Sequence, residues 1–301
     1  MNPGSGRRRG RAAEAAILGA ARKLDREVVL RRLDRRRSVG DQARQALSEG
    51  HAVIVAAGGD GTICGIAAAL AGSDTPMGVL PLGTFNYFAR SLGIPADLEA
   101  AVALLQDGVP RRIPVGRVNG RVFLNNASIG AYPAILAMRE RVYDRWGRSR
   151  AAAYWSVLRA LLGGRHAMML DLDLDGERRQ LRSPLVFVML NAFQLEQLSL
   201  DGQEIIENGR FAVFIAPEKG RWGMIRSAIA LATGRLSRSR DFELLGARDL
   251  TIATPAARNR VARDGERARL EGPFHFTLEQ GALEVLVPGR HPGLAPASHD
   301  A

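Results

Sequence analysis

The sequence predicts two domains: an α/β domain with a parallel sheet and helices on both faces, followed by a mostly antiparallel β domain. Three observations carry this expectation. The run Ala52–Ala57 is short and apolar, and it is closed by Gly58-Gly59-Asp60-Gly61-Thr62, as befits a parallel strand buried on both faces. Strand-like apolar runs and helical periodicities then alternate as far as Gly108. Beyond that point the pattern changes to strand runs bounded by turn signals, beginning with Asn119-Gly120. With 301 residues, 46% of them hydrophobic, the chain can bury a core in each part. The boundary is expected at Arg111–Pro114, which gives residues 1–112 and 113–287, with 288–301 able to pack back on the first domain.

In the first domain, residues 7–24 pass from Arg-rich to Ala-rich, with Ile17, Leu18, Ala21 and Leu24 at helical spacing. Glu27–Leu33 reads as a strand, and Ser38–Ser48 as a helix stopped at Gly50. After the glycine turn, Ile63–Leu70 reads as a helix and Met77–Leu80 as a strand. Phe85, Phe88, Ala89 and Leu92 repeat on one helical face, ended by Gly93 and Pro95, and Asp97 caps a further helix that stops near Gly108.

In the second half, Arg117–Val122 is a hairpin, because Asn-Gly accepts the positive φ values of a type I′ turn. Candidate strands are Met168–Asp175, Pro184–Asn191, Phe211–Ala216, Leu250–Ala253, Phe274–Leu278 and Leu283–Val287. Two amphipathic stretches, Ala151–Leu162 and Met224–Leu236, mix apolar residues with arginine, which suits a lipid-facing surface or a helix packed on a sheet. Asp171, Asp173, Asp175 and Gly176 imitate the start of a calcium loop, but the twelfth position is Arg182 where a bidentate Glu is required. Strand alternation explains them instead, with Leu170, Leu172 and Leu174 inward and Asp175-Gly176 as a turn.

Composition narrows the function classes. The net charge of +11 implies an anionic counterpart, nucleic acid or an acidic membrane surface. Aromatics are only 6% and no recognition motif accompanies the arginines, so nucleic acid is not expected. The single cysteine, Cys64, excludes an internal disulfide and any Cys-based zinc site, and the five histidines have no ligand spacing. No leader pattern follows Met1 and no run approaches about 18 apolar residues, so the protein is expected in the cytoplasm, touching membranes from the side.

The chemistry centres on the glycine turn. Open α/β sheets bind ligands at the carboxyl ends of their strands, and glycines there admit a ligand close to the backbone. A helix starting at the turn would aim its first N–H groups at phosphate. Asp60 would repel bare phosphate, so it suggests a Mg²⁺ ion or a hydroxyl nearby, although the same residue also suits an ordinary helix N-cap. Neither a Walker P-loop nor the protein-kinase set occurs in the chain.

The turn resembles the nucleotide signature of the diacylglycerol kinase catalytic family, which includes sphingosine kinases and bacterial lipid kinases. Three further stretches match in order: Asn2-Pro3-Gly4-Ser5-Gly6 the family's N-P-x-S-G turn, Pro81–Asn86 its P-x-G-T-x-N loop, and Asp264-Gly265-Glu266 its late D-G-E element. The resemblance implies a nucleotide-binding α/β domain followed by a β-sandwich domain that takes the lipid. It implies an ATP site lined by Asn2, Ser5, Gly58, Gly59, Asp60, Gly61, Thr62, Gly83, Thr84 and Asn86, with Asp60 near Mg²⁺ or the acceptor. Asp264 and Glu266 would orient and deprotonate the lipid hydroxyl, which makes Asp264, Glu266 and Asp60 the expected catalytic set. The expected activity is ATP-dependent phosphorylation of diacylglycerol, a sphingoid base or a related lipid at an anionic membrane surface, with a homodimer allowed. The alternatives are a kinase of a soluble acceptor, as in the distant NAD kinases, and a nucleotide or lipid binder without turnover. Two departures limit the transfer. Asn208 stands where several members carry an acidic metal ligand, so no structural metal is expected there, and Tyr87 stands where many have Asp, so the substrate class is not carried across.

Overall fold

The computed structural model describes residues 14–15, 17–19, 22, 27–34, 36–130, 167–198, 200–218 and 242–289. Asn2 and Ser5, the amphipathic stretches Ala151–Leu162 and Met224–Leu236, and nearly all of 288–301 lie outside the described residues. The chain forms two compact units: Met1–Gly116 with Arg121–Leu124 and Glu279–Ala301, and Arg117–Gly120 with Asn125–Leu278.

The first unit is α/β. Helix α1 (Val39–Ser48) starts at Ser38, whose Oγ accepts from the Asp41 N–H at 3.0 Å, and β1 (Ile54–Gly58) follows. Helix α2 (Asp60–Leu70) begins three residues before the expected Ile63, because Gly59 in an extended conformation takes the N-cap position. Strand β2 (Met77–Pro81) pairs with β1 in parallel, from Ile54 opposite Met77 to Gly58 opposite Pro81. A short helix, α3 (Tyr87–Ser91), and α4 (Leu98–Asp107), capped by Asp97 at 3.0 Å from the Ala100 N–H, complete the series. Side chains alternate along the strands, so each face has its own core. Ile54, Ala56, Met77 and Val79 join Ile63, Ile66 and Leu70 of α2, while Ala57 and Leu80 pack with Ala101 and Val102 of α4. This is the parallel sheet with helices on both faces that the alternating pattern predicts.

The strand expected at Glu27–Leu33 does not form: residues 27–34 carry no ladder. Strand propensity in a Val-Val-Leu run is expressed only when a partner supplies hydrogen bonds. Here Val28 and Val29 stay exposed, and the segment is tied by side chains, Arg31 to Glu49 and Arg32 to Glu14. A cavity of about 770 Å³ is lined by this segment, Val53, Val55 and α1 residues Ala43 and Ala46, among others.

Strand β3 (Val109–Val118) runs through Arg111–Pro114 and turns at Asn119 (φ 46°) and Gly120 (φ 74°) into β4 (Arg121–Phe123), the hairpin that Asn-Gly predicts. The second unit contains β5 (Asn126–Gly130), β6 (Met168–Leu174), β7 (Glu177–Ser183) and β8 (Leu185–Met189). Helices α5 (Ala192–Gln197) and α6 (Gln203–Glu207) come next, then β9 (Phe211–Ile215), β10 (Glu243–Ala247) and β11 (Asp249–Ala253). A hairpin of β12 (Arg258–Arg263) and β13 (Glu266–Glu271) precedes β14 (Phe274–Val287). One antiparallel sheet has the order β10-β9-β8-β5-β12-β13. Strands β11, β6 and β7 extend antiparallel from the first residues of β14.

Two strands expected at Phe274–Leu278 and Leu283–Val287 are one. Gly281, at φ 63°, accommodates the positive dihedral inside the strand, so the polar stretch between them is not a break. Leu170, Leu172 and Leu174 are buried as predicted, and Asp175 (φ 52°) and Gly176 (φ 93°) make the turn.

Candidate functional site

Parallel register brings two turns to one place. Because Gly58 lies opposite Pro81, the glycine turn and the Pro81–Asn86 loop leave the carboxyl ends of adjacent strands side by side, and the Leu82 N–H donates to the Gly58 carbonyl at 2.9 Å. Their backbones nearly touch: a Cβ on Gly83 would stand 2.7 Å from Gly59 Cα, and one on Gly59 would stand 3.3 Å from Gly83 Cα. Gly58 is closed in the same way, since a Cβ there would meet the Thr62 side chain at 2.7 Å. Gly58, Gly59 and Gly83 therefore answer to lack of room.

Asn86 sets the shape of the second loop. It adopts φ 50° and ψ 43°, a left-handed conformation that Asn tolerates better than other side chains. Its Oδ1 accepts from the Gly83 N–H at 2.9 Å, and its Nδ2 donates to the Gly83 carbonyl at 3.0 Å and the Pro81 carbonyl at 3.4 Å. The buried carboxamide is thus engaged with its own loop rather than turned outward. Asp60, the first residue of α2, accepts from the Phe88 N–H at 3.3 Å and so ties the turn to the start of α3. Thr62 is buried in the first turn of α2, whereas Thr84 and Phe85 are exposed, and Phe85 stacks on Tyr87 with ring centroids 5.4 Å apart. Phe85 therefore does not share the buried face of Phe88, Ala89 and Leu92, because it precedes the helix.

Asp264 and Glu266 sit in the second unit, on the hairpin between β12 and β13. Asp264 (φ 45°) and Gly265 (φ 86°) form its two-residue turn, and Glu266 opens β13 opposite Arg263, exposed. The Asp264 side chain is not directed away from the sheet. Its Oδ1 accepts from the N–H groups of Asn125 at 2.8 Å and Asn126 at 3.0 Å, and its own N–H donates to the Asn126 carbonyl at 2.9 Å. Charge-assisted bonds of this kind fix a carboxylate in one orientation. Asn125 and Asn126 escaped the sequence reading, which had no means of relating them to a turn so far along the chain.

The described residues contain no cluster of three or more His, Cys, Asp or Glu side chains arranged for a metal. Asp60 alone nevertheless fits the way Mg²⁺ is commonly held beside nucleotides, through one or two carboxylates with phosphate oxygens and waters. Among the described residues no helix is long and apolar enough to cross a membrane.

Residues 1–118 match the family model of the diacylglycerol kinase catalytic domain. Similar proteins carry names of the same kind. A Pseudomonas aeruginosa (strain PAO1) protein named as a probable lipid kinase, YegS-like, is 47% identical over 122 residues, which are 40% of this chain and 39% of that one. The diacylglycerol kinase of Bacillus subtilis (strain 168) is 31% identical over 201 residues, 64% of each chain. The match thus spans about two fifths of the Pseudomonas relative's length. A solved structure described as a diacylglycerol kinase from Bacillus anthracis (strain Sterne) superposes with a TM-score of 0.68 at 19% identity, over 93% of this chain and 92% of that one, a likeness of fold.

Proposed function

We propose that the protein is an ATP-dependent kinase that phosphorylates the hydroxyl of a diacylglycerol, a sphingoid base or a related lipid. The observation that carries this reading is the backbone contact of Gly59 with Gly83, which builds one cradle from two turns in a stretch that matches the family. Glycine backbone at the mouth of α2 suits a polyphosphate, because N–H groups approach it without side chains between and the helix dipole favours negative charge. Asp60 would hold Mg²⁺ there, and when bound the ion would neutralise charge on the phosphate oxygens. Asn86 holds the second turn in shape.

On the second unit, Asp264 orients the acceptor hydroxyl and takes its proton, assisted by Glu266. Two backbone N–H bonds to Asp264 Oδ1 fix the carboxylate, so the hydroxyl meets a base in a set position. The charge of +11 supports docking at an anionic membrane surface, where each arginine contributes on the order of 1 kcal/mol.

The test compares Asp264→Asn with Asp60→Asn, using a short-chain diacylglycerol and a sphingoid base in mixed micelles. Asp264→Asn should lower kcat by about 10²-fold with Mg·ATP affinity nearly unchanged, whereas Asp60→Asn should weaken Mg·ATP binding as well. Near-normal turnover in Asp264→Asn would sink the assignment.

A further inference from the structure

We infer that Asn191 and Gln194, at the start of α5, are positioning residues that hold the Asp264 carboxylate through the Asn125–Asn126 dipeptide. The inference rests on the reading of Asp264 as the hydroxyl-orienting group. Its starting point is a cluster of four primary amides where the sheet would be expected to be apolar. Asn125 is 2% exposed, Asn126 5%, Asn191 4% and Gln194 7%. Burying such groups is unfavourable unless each finds a partner, and an apolar set of the same volume would be simpler to pack.

The partners form a chain with a direction. Asn191 Oδ1 accepts from the Gln194 N–H at 2.9 Å, capping α5, while its Nδ2 donates to Asn125 Oδ1 at 2.7 Å. Gln194 Oε1 accepts from Asn126 Nδ2 at 2.8 Å. Both side chains of the dipeptide are thereby held by the first turn of α5. Its backbone is held as completely: the Leu190 N–H donates to the Asn125 carbonyl at 2.9 Å, the Asp264 N–H to the Asn126 carbonyl at 2.9 Å, and the dipeptide's own two N–H groups both meet Asp264 Oδ1. The peptide that fixes the carboxylate is thus itself fixed from behind by two side chains that do not reach Asp264.

A cap and a positioning tie can be separated. Asn191→Ser keeps the cap, because a Ser Oγ accepts from the same N–H, but it is too short to reach Asn125. Gln194→Leu keeps the volume and removes the acceptor for Asn126, and Gln194→Glu restores that acceptor. We expect Asn191→Ser and Gln194→Leu each to lower kcat about tenfold, with KM for Mg·ATP within twofold of wild type and the fold retained, and Gln194→Glu to recover most of the loss. Hydrogen exchange of the Asn125 and Asn126 amides, measured on the full chain, should accelerate at least tenfold in Gln194→Leu and return towards wild type in Gln194→Glu.

The two arms separate this inference from the reading beneath it. Unchanged exchange at Asn125 and Asn126 in Gln194→Leu would overturn the tie whatever the activity. Accelerated exchange with undiminished kcat, in a protein that Asp264→Asn inactivates, would leave the reading of Asp264 standing and overturn the positioning role. Full activity in Asp264→Asn would overturn the reading of Asp264, and with it the positioning role.

Discussion

Replacing Gly83 by alanine tests the cradle at its tightest point. The added Cβ would lie 2.7 Å from Gly59 Cα and 2.6 Å from Asn86 Oδ1, whereas ordinary contact begins at 3.4 Å. Relief requires the two turns to separate by about 0.7 Å, the difference between 3.4 and 2.7. The neighbour on one side is backbone, and on the other it is a carboxamide already bonded to Gly83 and Pro81, so neither can swing aside. Overpacking of this kind costs about 1–3 kcal/mol, which for a chain of this size is a fall in Tm of about 2–5 °C. Separating the turns also spoils the spacing of the N–H groups, and Mg·ATP affinity should fall at least about tenfold, or 1.4 kcal/mol. Calorimetric unfolding and titration with Mg·ATP at a temperature where the variant is folded give both numbers. A variant with unchanged Tm and affinity within twofold of wild type would refute the close approach of the two turns.

Three other substitutions probe the framework. Gly40→Ala, in the first turn of α1 where a Cβ meets nothing closer than 3.5 Å, should stabilise the protein by about 0.5 kcal/mol in urea unfolding. Asn119→Ala should cost about 2–3 kcal/mol, since it loses bonds to the Glu271 and Pro273 carbonyls and the His275 N–H and places alanine at φ 46°, and Asn119→Gly, which keeps the dihedral, should cost less. Burial pushes the Asp175 carboxyl up, but the N–H groups of Asp249 and Arg248 and the Arg210 guanidinium outweigh it and hold the group below its ordinary value of 3.8. Because the folded value is the lower one, this contribution is complete above the unfolded value and is lost as pH falls through the folded one. Asp175→Asn should therefore be less stable than wild type at neutral pH, with the difference shrinking below about pH 3.8 in acid titrations of unfolding.

The first unit was legible in the sequence where local chemistry decides the outcome. Ser38 and Asp97 announce their helices by capping, and the run into Gly58 announces β1 by its apolar residues and glycines. Glu27–Leu33 misled because β propensity cannot show whether a partner strand is present. In the second unit, β12 and β13 are rich in charged residues and carry little apolar strand signal, although Asp264-Gly265 between them is the same kind of two-residue turn signal as Asn119-Gly120. The same residues that resemble a D-G-E element also form the turn of the hairpin. The motif glycines and Asp264 were visible as residue types, whereas the Gly59–Gly83 contact and the bonds from Asn125 and Asn126 depend on strand register, which residue types alone do not reveal.

The central claim is that phosphate passes from ATP to a lipid hydroxyl under the direction of Asp264. Incubating the protein with ATP labelled at the γ-phosphate, Mg²⁺ and a total lipid extract, and then identifying the labelled product by mass, tests it most directly. The account predicts label in an organic-phase product heavier than a hydroxyl-bearing lipid by one phosphate, and its disappearance with Asp264→Asn. Label found only in inorganic phosphate or in a water-soluble product would contradict it.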